Sequence, residues 1–253
     1  MDIKVRGIVL KAFDYKDDDK LARLYTLEQG KITAVFRGVK KAKAKLKIPA
    51  QLFCFGEYIL NTGGKGIFPV ATGCTVEESF FSLASNPDKF AAAASVMEIA
   101  EKCLPDNESS PLIFVQILKT MKEFLKAHTY YADGEERGNG NEAADTERAC
   151  KLILLNFMLE FFKLTGFGFR LDKCRACGEK DIRERRFEFS SGGIVCKRCA
   201  SQYAAPVSPL CHGVMLAVSR CETARLNTLN LDGSGLSEAL SVCRQAAERI
   251  FEM

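Results

Sequence analysis

The spacing of apolar and polar positions changes part-way along the chain. Over roughly the first 75 residues they alternate in short runs bounded by turn residues, the period-2 signature of half-buried strands. "IKVRGIVLKAF" (3–13) and "LARLYTL" (21–27) predict two strands around the acidic turn "DYKDDDK" (14–20). That turn is one Asp short of a common epitope tag, but it lies inside a continuous strand–turn–strand pattern and reads as native. In "GKITAVFRGV" (30–39), Ile32, Ala34 and Phe36 share one face, and Lys31, Thr33 and Arg37 the other. "QLFCFGEYILN" (51–61) and "IFPVATGCTV" (67–76) predict two more strands joined by "TGGKG" (62–66), with Pro69 marking an edge or bulge. Short strands joined by turns, mostly without helix-length segments between them, fit a small closed barrel better than an open sheet.

From residue 76 the period becomes helical. Asn86 before Pro87 is a cap-then-first-turn start, with the helix running towards Pro105. Ser110 and Pro111 open a second helix with Ile113, Ile117, Met121 and Leu125 on one stripe. "YYADGEERGNGNEAAD" (130–145) is a polar, glycine-containing connection. The segment 146–165 is apolar nearly all round, which predicts a central buried helix ended by Gly166. Ser208 with Pro209 and then Ser234 start two more. The expected class is α+β: a barrel domain over 1–78, then a helical domain over 79–253 with a cysteine-bearing insert at about 170–203.

That insert, "CRACGEKDIRERRFEFSSGGIVCKRC", holds two Cys-x-x-Cys pairs, Cys174/Cys177 and Cys196/Cys199. Each pair brings two sulfurs to one point from a tight turn, and tetrahedral zinc wants four such ligands. The spacing matches a zinc ribbon with "SSGG" as its hairpin turn, and Gly178 permits the unusual backbone of a knuckle. A redox reading needs a Cys-x-x-Cys beside a βαβ unit and leaves the second pair unexplained. A closed four-thiolate cage has no open position for catalysis, so one structural Zn2+ is expected. The remaining seven of the eleven cysteines read as small core residues.

Charge adds a second feature. Net charge is +4, yet no acidic residue falls between Glu28 and Glu57, a stretch holding Lys31, Arg37, Lys40, Lys41, Lys43, Lys45 and Lys47. Two readings stand: a loop kept solvated by lysines, or a one-sign field that meets a polyanion such as nucleic acid or an acidic membrane surface. Arg183, Arg185 and Arg186 offer a second basic patch, with surface solubility the equal alternative.

Other classes lose ground. No run approaches ~18 apolar residues, and the start lacks a signal-peptide core, so a cytoplasmic protein without a membrane span is expected. The two histidines, His128 and His212, sit at a helix end and near a helix start, positions suited to dipole and first-turn roles. "GGKG" (63–66) lacks the spacing of a phosphate loop. No enzyme is expected.

The residues quoted resemble a known family. "GIVLKAFDYKDDDKLARLYTLEQGKITAVFRGVKKAKAKL" (7–46) resembles the N-terminal domain of the RecO family of bacterial recombination mediators. "FFKLTGFGFRLDKCRACGE" (161–179) followed by "FEFSSGGIVCKRC" (187–199) is similar to the family's zinc-bearing pattern. The resemblance implies an OB-fold barrel followed by a helical domain carrying a zinc ribbon. It also implies a role in recombinational repair: binding ssDNA and dsDNA, annealing strands, contacting RecR and the SSB C-terminal tail, and helping RecA replace SSB. The family's basic loop often holds Pro and Ser, whereas "VKKAKAK" (39–45) keeps the charge without them.

An OB barrel binds single strands with a basic groove and aromatic platforms. The groove candidates are Lys31, Arg37, Lys40, Lys41, Lys43 and Lys45. The platform candidates are Tyr25, Phe36, Phe53, Phe55 and Tyr58, of which more than half are expected to fill the barrel. The competing reading is a zinc-ribbon protein–protein adaptor that does not touch DNA.

Overall fold

β1 (Asp2–Tyr15) serves two neighbours in turn, pairing antiparallel with β4 (Phe55–Asn61) along its first half and with β2 (Asp19–Thr26) along its second. A register shift between Val9 and Lys11 lets it bend, because a bulge sharpens local twist. β3 (Gly30–Phe36) continues antiparallel from β2, and β5 (Val70–Glu78) pairs antiparallel with β4. Parallel pairing of β3 with β5 at Val35 and Val70 closes the barrel in the order β1-β2-β3-β5-β4. Pro69 lies just before β5, where its missing N–H costs no ladder bond, and its carbonyl accepts from Val35 N–H at 2.8 Å. The five strands match the sequence reading.

The computed structural model describes residues 1–64, 66–127, 142–221, 225–226, 229 and 231–251. They fall into two compact units, Met1–Met121 and Lys122–Met253. Among the described residues, no helix is long and apolar enough to cross a membrane.

Alternation builds the first unit's core. Val5, Val9, Leu24, Phe36, Tyr58, Leu60 and Ala71 fill the barrel. The small pair Ala22 and Ala34, opposite each other, leaves room for Phe36 and Tyr58 to meet edge to face at 6.0 Å. Tyr25 and Phe55 turn outward and are covered by Phe114 of α2 (Pro111–Leu125), at centroid separations of 6.2 and 6.0 Å. Burying each ring is worth ~2–3 kcal/mol, so helices that follow the barrel in sequence complete it. α1 (Pro87–Cys103) starts as expected: Asn86 accepts hydrogen bonds from the backbone of Asp88 and Lys89, both at 3.0 Å. A short 3-10 turn at Phe81–Ser85 precedes it, without a periodic signal long enough to announce it. Gly30 is required where the α1–α2 connection crosses β3: its φ is +67°, and a Cβ there would lie 2.1 Å from the Glu108 carbonyl oxygen.

In the second unit α3 (Glu142–Leu164) is the buried helix, with Leu152 to Leu159 inaccessible on every side. It begins one turn ahead of the expected start. α4 (Pro209–Arg220) and α5 (Gly233–Phe251) pack on it and on each other. Ser208 caps α4 by accepting from Cys211 N–H at 3.0 Å, and Asp232 caps α5 by accepting from Ser234 and Gly235 N–H. Between α3 and α4 lies a small sheet in the order β7-β6-β8: β6 (Arg185–Glu188), β7 (Gly193–Cys196) and β8 (Ala205–Pro206). A ladder of rings, Phe162–Phe169–Phe187–Phe189 at 4.5, 4.8 and 5.2 Å, joins this sheet to α3. The barrel, the helical region and the inserted sheet make the fold α+β.

Candidate nucleic-acid interface and metal centre

The basic segment leaves β3 and returns at β4. Its turns are hydrogen-bonded in succession: Lys41 N–H to Gly38, Ala44 N–H to Lys41, Lys47 N–H to Ala44 and Ala50 N–H to Leu46. Val39 and Ala50 are buried in the barrel core, with Leu46 packed against it. Tyr58 donates to the carbonyls of Pro49 and Cys54 at 3.0 and 3.2 Å, tying the returning limb to the barrel floor. The segment is therefore a built loop, held by apolar anchors and turns in place of the Pro and Ser the resemblance led one to expect. Arg37, Lys43, Lys45 and Lys47 are exposed on it and form no ion pair among the described residues.

Lys40 and Lys41 meet the acidic turn. Lys40 Nζ lies 3.3 Å from Asp14 and donates to the Lys16 carbonyl at 3.3 Å, and Lys41 Nζ lies 3.4 Å from Asp18. Asp19 accepts the backbone N–H of Gly38 at 2.8 Å. Sequence reasoning treated the acidic turn and the basic run separately. The signal that joins them was present as opposite charge at the two ends of β2 and β3, which pair as a hairpin.

Lys31 departs from the expected groove. It is 6% exposed, its ammonium donates to the Glu101 carbonyl at 2.6 Å, and it pairs with Asp106 at 3.3 Å. Its six-residue separation from Arg37 along β3 corresponds to ~20 Å. Residues 101–108 cover that part of the strand, so Lys31 belongs to packing. The five aromatic candidates are likewise all buried: Phe36 and Tyr58 inside the barrel, Tyr25 and Phe55 under Phe114, and Phe53 against Phe90 of α1 at 5.6 Å.

The three arginines of the insert do not share one face. Arg185 and Arg186 are neighbours on β6, so their side chains leave on opposite sides of the sheet. Arg186 donates to the Ala204 carbonyl at 3.3 Å, while Arg183 is exposed ahead of the strand.

The four cysteines converge. The sulfurs of Cys174, Cys177, Cys196 and Cys199 all lie within 4.8 Å of one another, with Cys177 and Cys196 at 3.9 Å. A tetrahedral site with ~2.3 Å metal–sulfur bonds needs sulfur separations of about 3.8 Å, so the set fits a metal ion. Gly178, at φ +79°, sends its N–H to the Cys174 carbonyl at 2.9 Å, and Cys199 N–H bonds the Cys196 carbonyl at 2.9 Å, forming the two knuckles. Burial works to raise the Cys174 thiol, but backbone N–H groups of Cys177, Cys196 and Ala176 outweigh it and lower the thiol to about 6. Cys199 is pushed up to about 12, first by hydrogen bonds with Cys196 and Cys177. Four thiolates this close repel one another, and a cation is what allows all four to ionise together.

Elsewhere, burial pushes the Cys74, Cys103 and Cys211 thiols up to about 12. Cys103 and Cys211 are buried packing groups, and Cys74 is partly buried against the barrel core. His212, in the first turn of α4, bonds the Leu171 carbonyl through Nε2 at 2.7 Å. His128 and most of the 130–145 connection lie outside the described residues, as does Lys65 of the "GGKG" turn.

Residues 1–78 match the family model described as "Recombination protein O N terminal", and residues 143–250 match "Recombination protein O C terminal". The chain is 30% identical to the "DNA repair protein RecO" of Clostridium novyi (strain NT) over 212 residues, covering 84% of this chain and 75% of the relative. It is 27% identical over 240 residues to the protein of the same name from Clostridium perfringens (strain 13 / Type A), covering 95% and 89%. A Listeria monocytogenes (serotype 4b, strain F2365) relative, also named DNA repair protein RecO, is 30% identical over 196 residues, covering 78% and 68%. The first match ends where the barrel ends, and the second takes in α3, the cysteine cluster, α4 and nearly all of α5. Two family models placed in this order, with relatives matched across most of both chains, establish that the chain belongs to the RecO family of DNA repair proteins.

Proposed function

We propose that the protein is a non-enzymatic DNA-binding mediator of recombinational repair. In this reading it holds ssDNA and dsDNA by the sugar-phosphate chain and anneals complementary strands. Together with RecR it helps load RecA onto strands coated by SSB, whose C-terminal tail it contacts, within the bacterial cytoplasm at the nucleoid. The observation that carries the reading is the loop on which Arg37, Lys43 and Lys45 stand exposed, without ion-pair partners among the described residues, beside Lys40 and Lys41. Such cations neutralise phosphates without reading base edges, so binding is tolerant of sequence. The same surface lowers the repulsion between two strands and leaves their bases free to pair.

Arg183 supplies a second phosphate contact from the insert, with Arg185 and Arg186 as supporting cations. Cys174, Cys177, Cys196 and Cys199 would hold one zinc ion that keeps the insert folded. With four thiolates as ligands, its chemistry is structural.

The test is a salt titration of binding to a labelled single strand. Each neutralised phosphate contributes ~0.7 to the log–log slope. Arg37→Glu with Lys43→Glu and Lys45→Glu is expected to flatten the slope by about two and to abolish annealing of SSB-coated strands. Affinity unchanged by the triple reversal favours the adaptor reading instead. Cleavage of labelled DNA by the pure protein with a divalent metal overturns the non-enzymatic assignment.

A further inference from the structure

With the expected platform rings buried, the exposed aromatic side chains of the barrel strands are those of β1. Lys11, Phe13 and Tyr15 are alternate residues and project from one face, while Ala12 between them packs against the barrel core. Phe13 is 37% exposed and Tyr15 half-buried. Further along the same sheet the outer surface is covered: Tyr25 and Phe55 lie under Phe114, and Arg23, the cross-strand neighbour of Lys11, pairs with Glu101.

We propose that Phe13 and Tyr15 form the base-stacking platform for a single polynucleotide strand whose phosphates are held by the 37–47 loop. The inference rests on the DNA-binding reading above and names the part of the surface that the bases touch.

Three observations converge on it. Both rings carry an ammonium over the face: Lys11 Nζ is 5.3 Å from the Phe13 centroid, and Lys16 Nζ is 5.3 Å from that of Tyr15. Exposed cation–π contacts are weak, so a base can take the ring face while the lysine moves to the adjoining phosphate. The cationic loop also meets the strand at this point: Asp19, the cross-strand neighbour of Tyr15 and on its face, accepts the Gly38 N–H, and Lys40 Nζ bonds the Lys16 carbonyl. Rings and loop are thus parts of one surface. Finally, same-face residues on a strand are ~6.7 Å apart, about twice the ~3.4 Å rise of stacked bases, so two rings can engage alternate bases of a stacked strand.

The acids nearby are largely answered by the loop. Asp14 and Asp18 pair with Lys40 and Lys41, and Asp19, the cross-strand neighbour of Tyr15, accepts the Gly38 N–H. Asp17 is left, at the tip of the turn. The cross-strand neighbour of Phe13 is Leu21, which extends the apolar surface beside the ring.

Binding is measured with three labelled probes: a single strand, a sugar-phosphate strand without bases, and a duplex. Phe13→Ala and Tyr15→Ala are each expected to weaken single-strand binding about tenfold while changing the other two probes less than about twofold. Phe13→Leu keeps apolar bulk without a ring and is expected to show the same selective loss. The chain has no tryptophan, so Tyr15→Trp gives a single fluorescent reporter that should be quenched by the base-bearing strand and not by the abasic one. Alanine variants that bind the single strand like wild type, or an indole emission from the Tyr15→Trp variant unmoved at saturation, overturn the platform. If those variants are silent while the loop reversals still cost affinity, only the platform falls. If the wild-type chain binds no strand at all, the DNA-binding reading falls with it.

Discussion

Lys31 and Asp106 form an ion pair at 3.3 Å, and the same ammonium donates to the Glu101 carbonyl at 2.6 Å. The segment following α1 therefore lies on the start of β3, where Asn107 N–H also bonds the Lys31 carbonyl at 3.0 Å.

Replacing Lys31 by Met should accordingly act on stability. The substitution leaves a buried carbonyl without its charged donor, a loss of ~2 kcal/mol. Chemical denaturation should show that loss, with DNA affinity close to wild type. A variant of unchanged stability that no longer binds DNA would return Lys31 to the groove.

The acidic turn restrains the loop it faces. Asp14→Asn with Asp18→Asn frees Lys40 and Lys41 from partners that are themselves largely exposed. Surface pairs are worth ~0.2–1 kcal/mol, so the fold should be little affected. Two released cations should steepen the salt dependence of single-strand binding by up to about 1.4 and tighten it at low salt. Titration of the double variant against wild type measures both, and a flatter slope contradicts this account.

Metal in the cysteine cage should be stoichiometric. Protein purified without added metal is expected to carry about one zinc per chain, and Cys177→Ser to lose it. A chelator should open the four clustered thiols to a maleimide reagent, while Cys54, Cys211 and Cys243 stay protected by burial. Unchanged labelling after chelation would mean that no metal was shielding the cluster.

Glu188 sets an acid limit on the insert. Its burial works to raise the carboxyl, but hydrogen bonds from the Ser201 hydroxyl and backbone and from Ser190 outweigh this and hold it below its ordinary 4.5. A depressed acid contributes stability that is present above 4.5 and lost as pH falls through the lowered value. The stability difference between wild type and Glu188→Gln should be largest near neutrality and shrink below about pH 4. A difference that grows on acidification reverses the assigned sign.

Much of this was legible in the residues. Strand alternation announced the barrel, the Asn86–Pro87 and Ser208–Pro209 caps announced α1 and α4, and the cysteine spacing announced the cage. Cover was not legible. Alternation assigns Lys31, Tyr25 and Phe55 to an outer face but cannot say that residues 101–114 lie over it. The exposed Phe13 and Tyr15 escaped attention for the same reason, because a ring on an outward face looks the same whether a helix covers it or solvent does. Nor could β8, two residues long, produce a period.

Ser110 N–H donates to the hydroxyl of Tyr25 at 3.1 Å, fastening the start of α2 over an outward ring of the barrel. A fragment trimmed at residue 78, where the barrel strands stop, would present Tyr25 and Phe55 to water as a sticky apolar patch and would tend to self-associate. The shortest well-behaved piece for spectroscopy would extend to about residue 121, well past the last strand of the barrel.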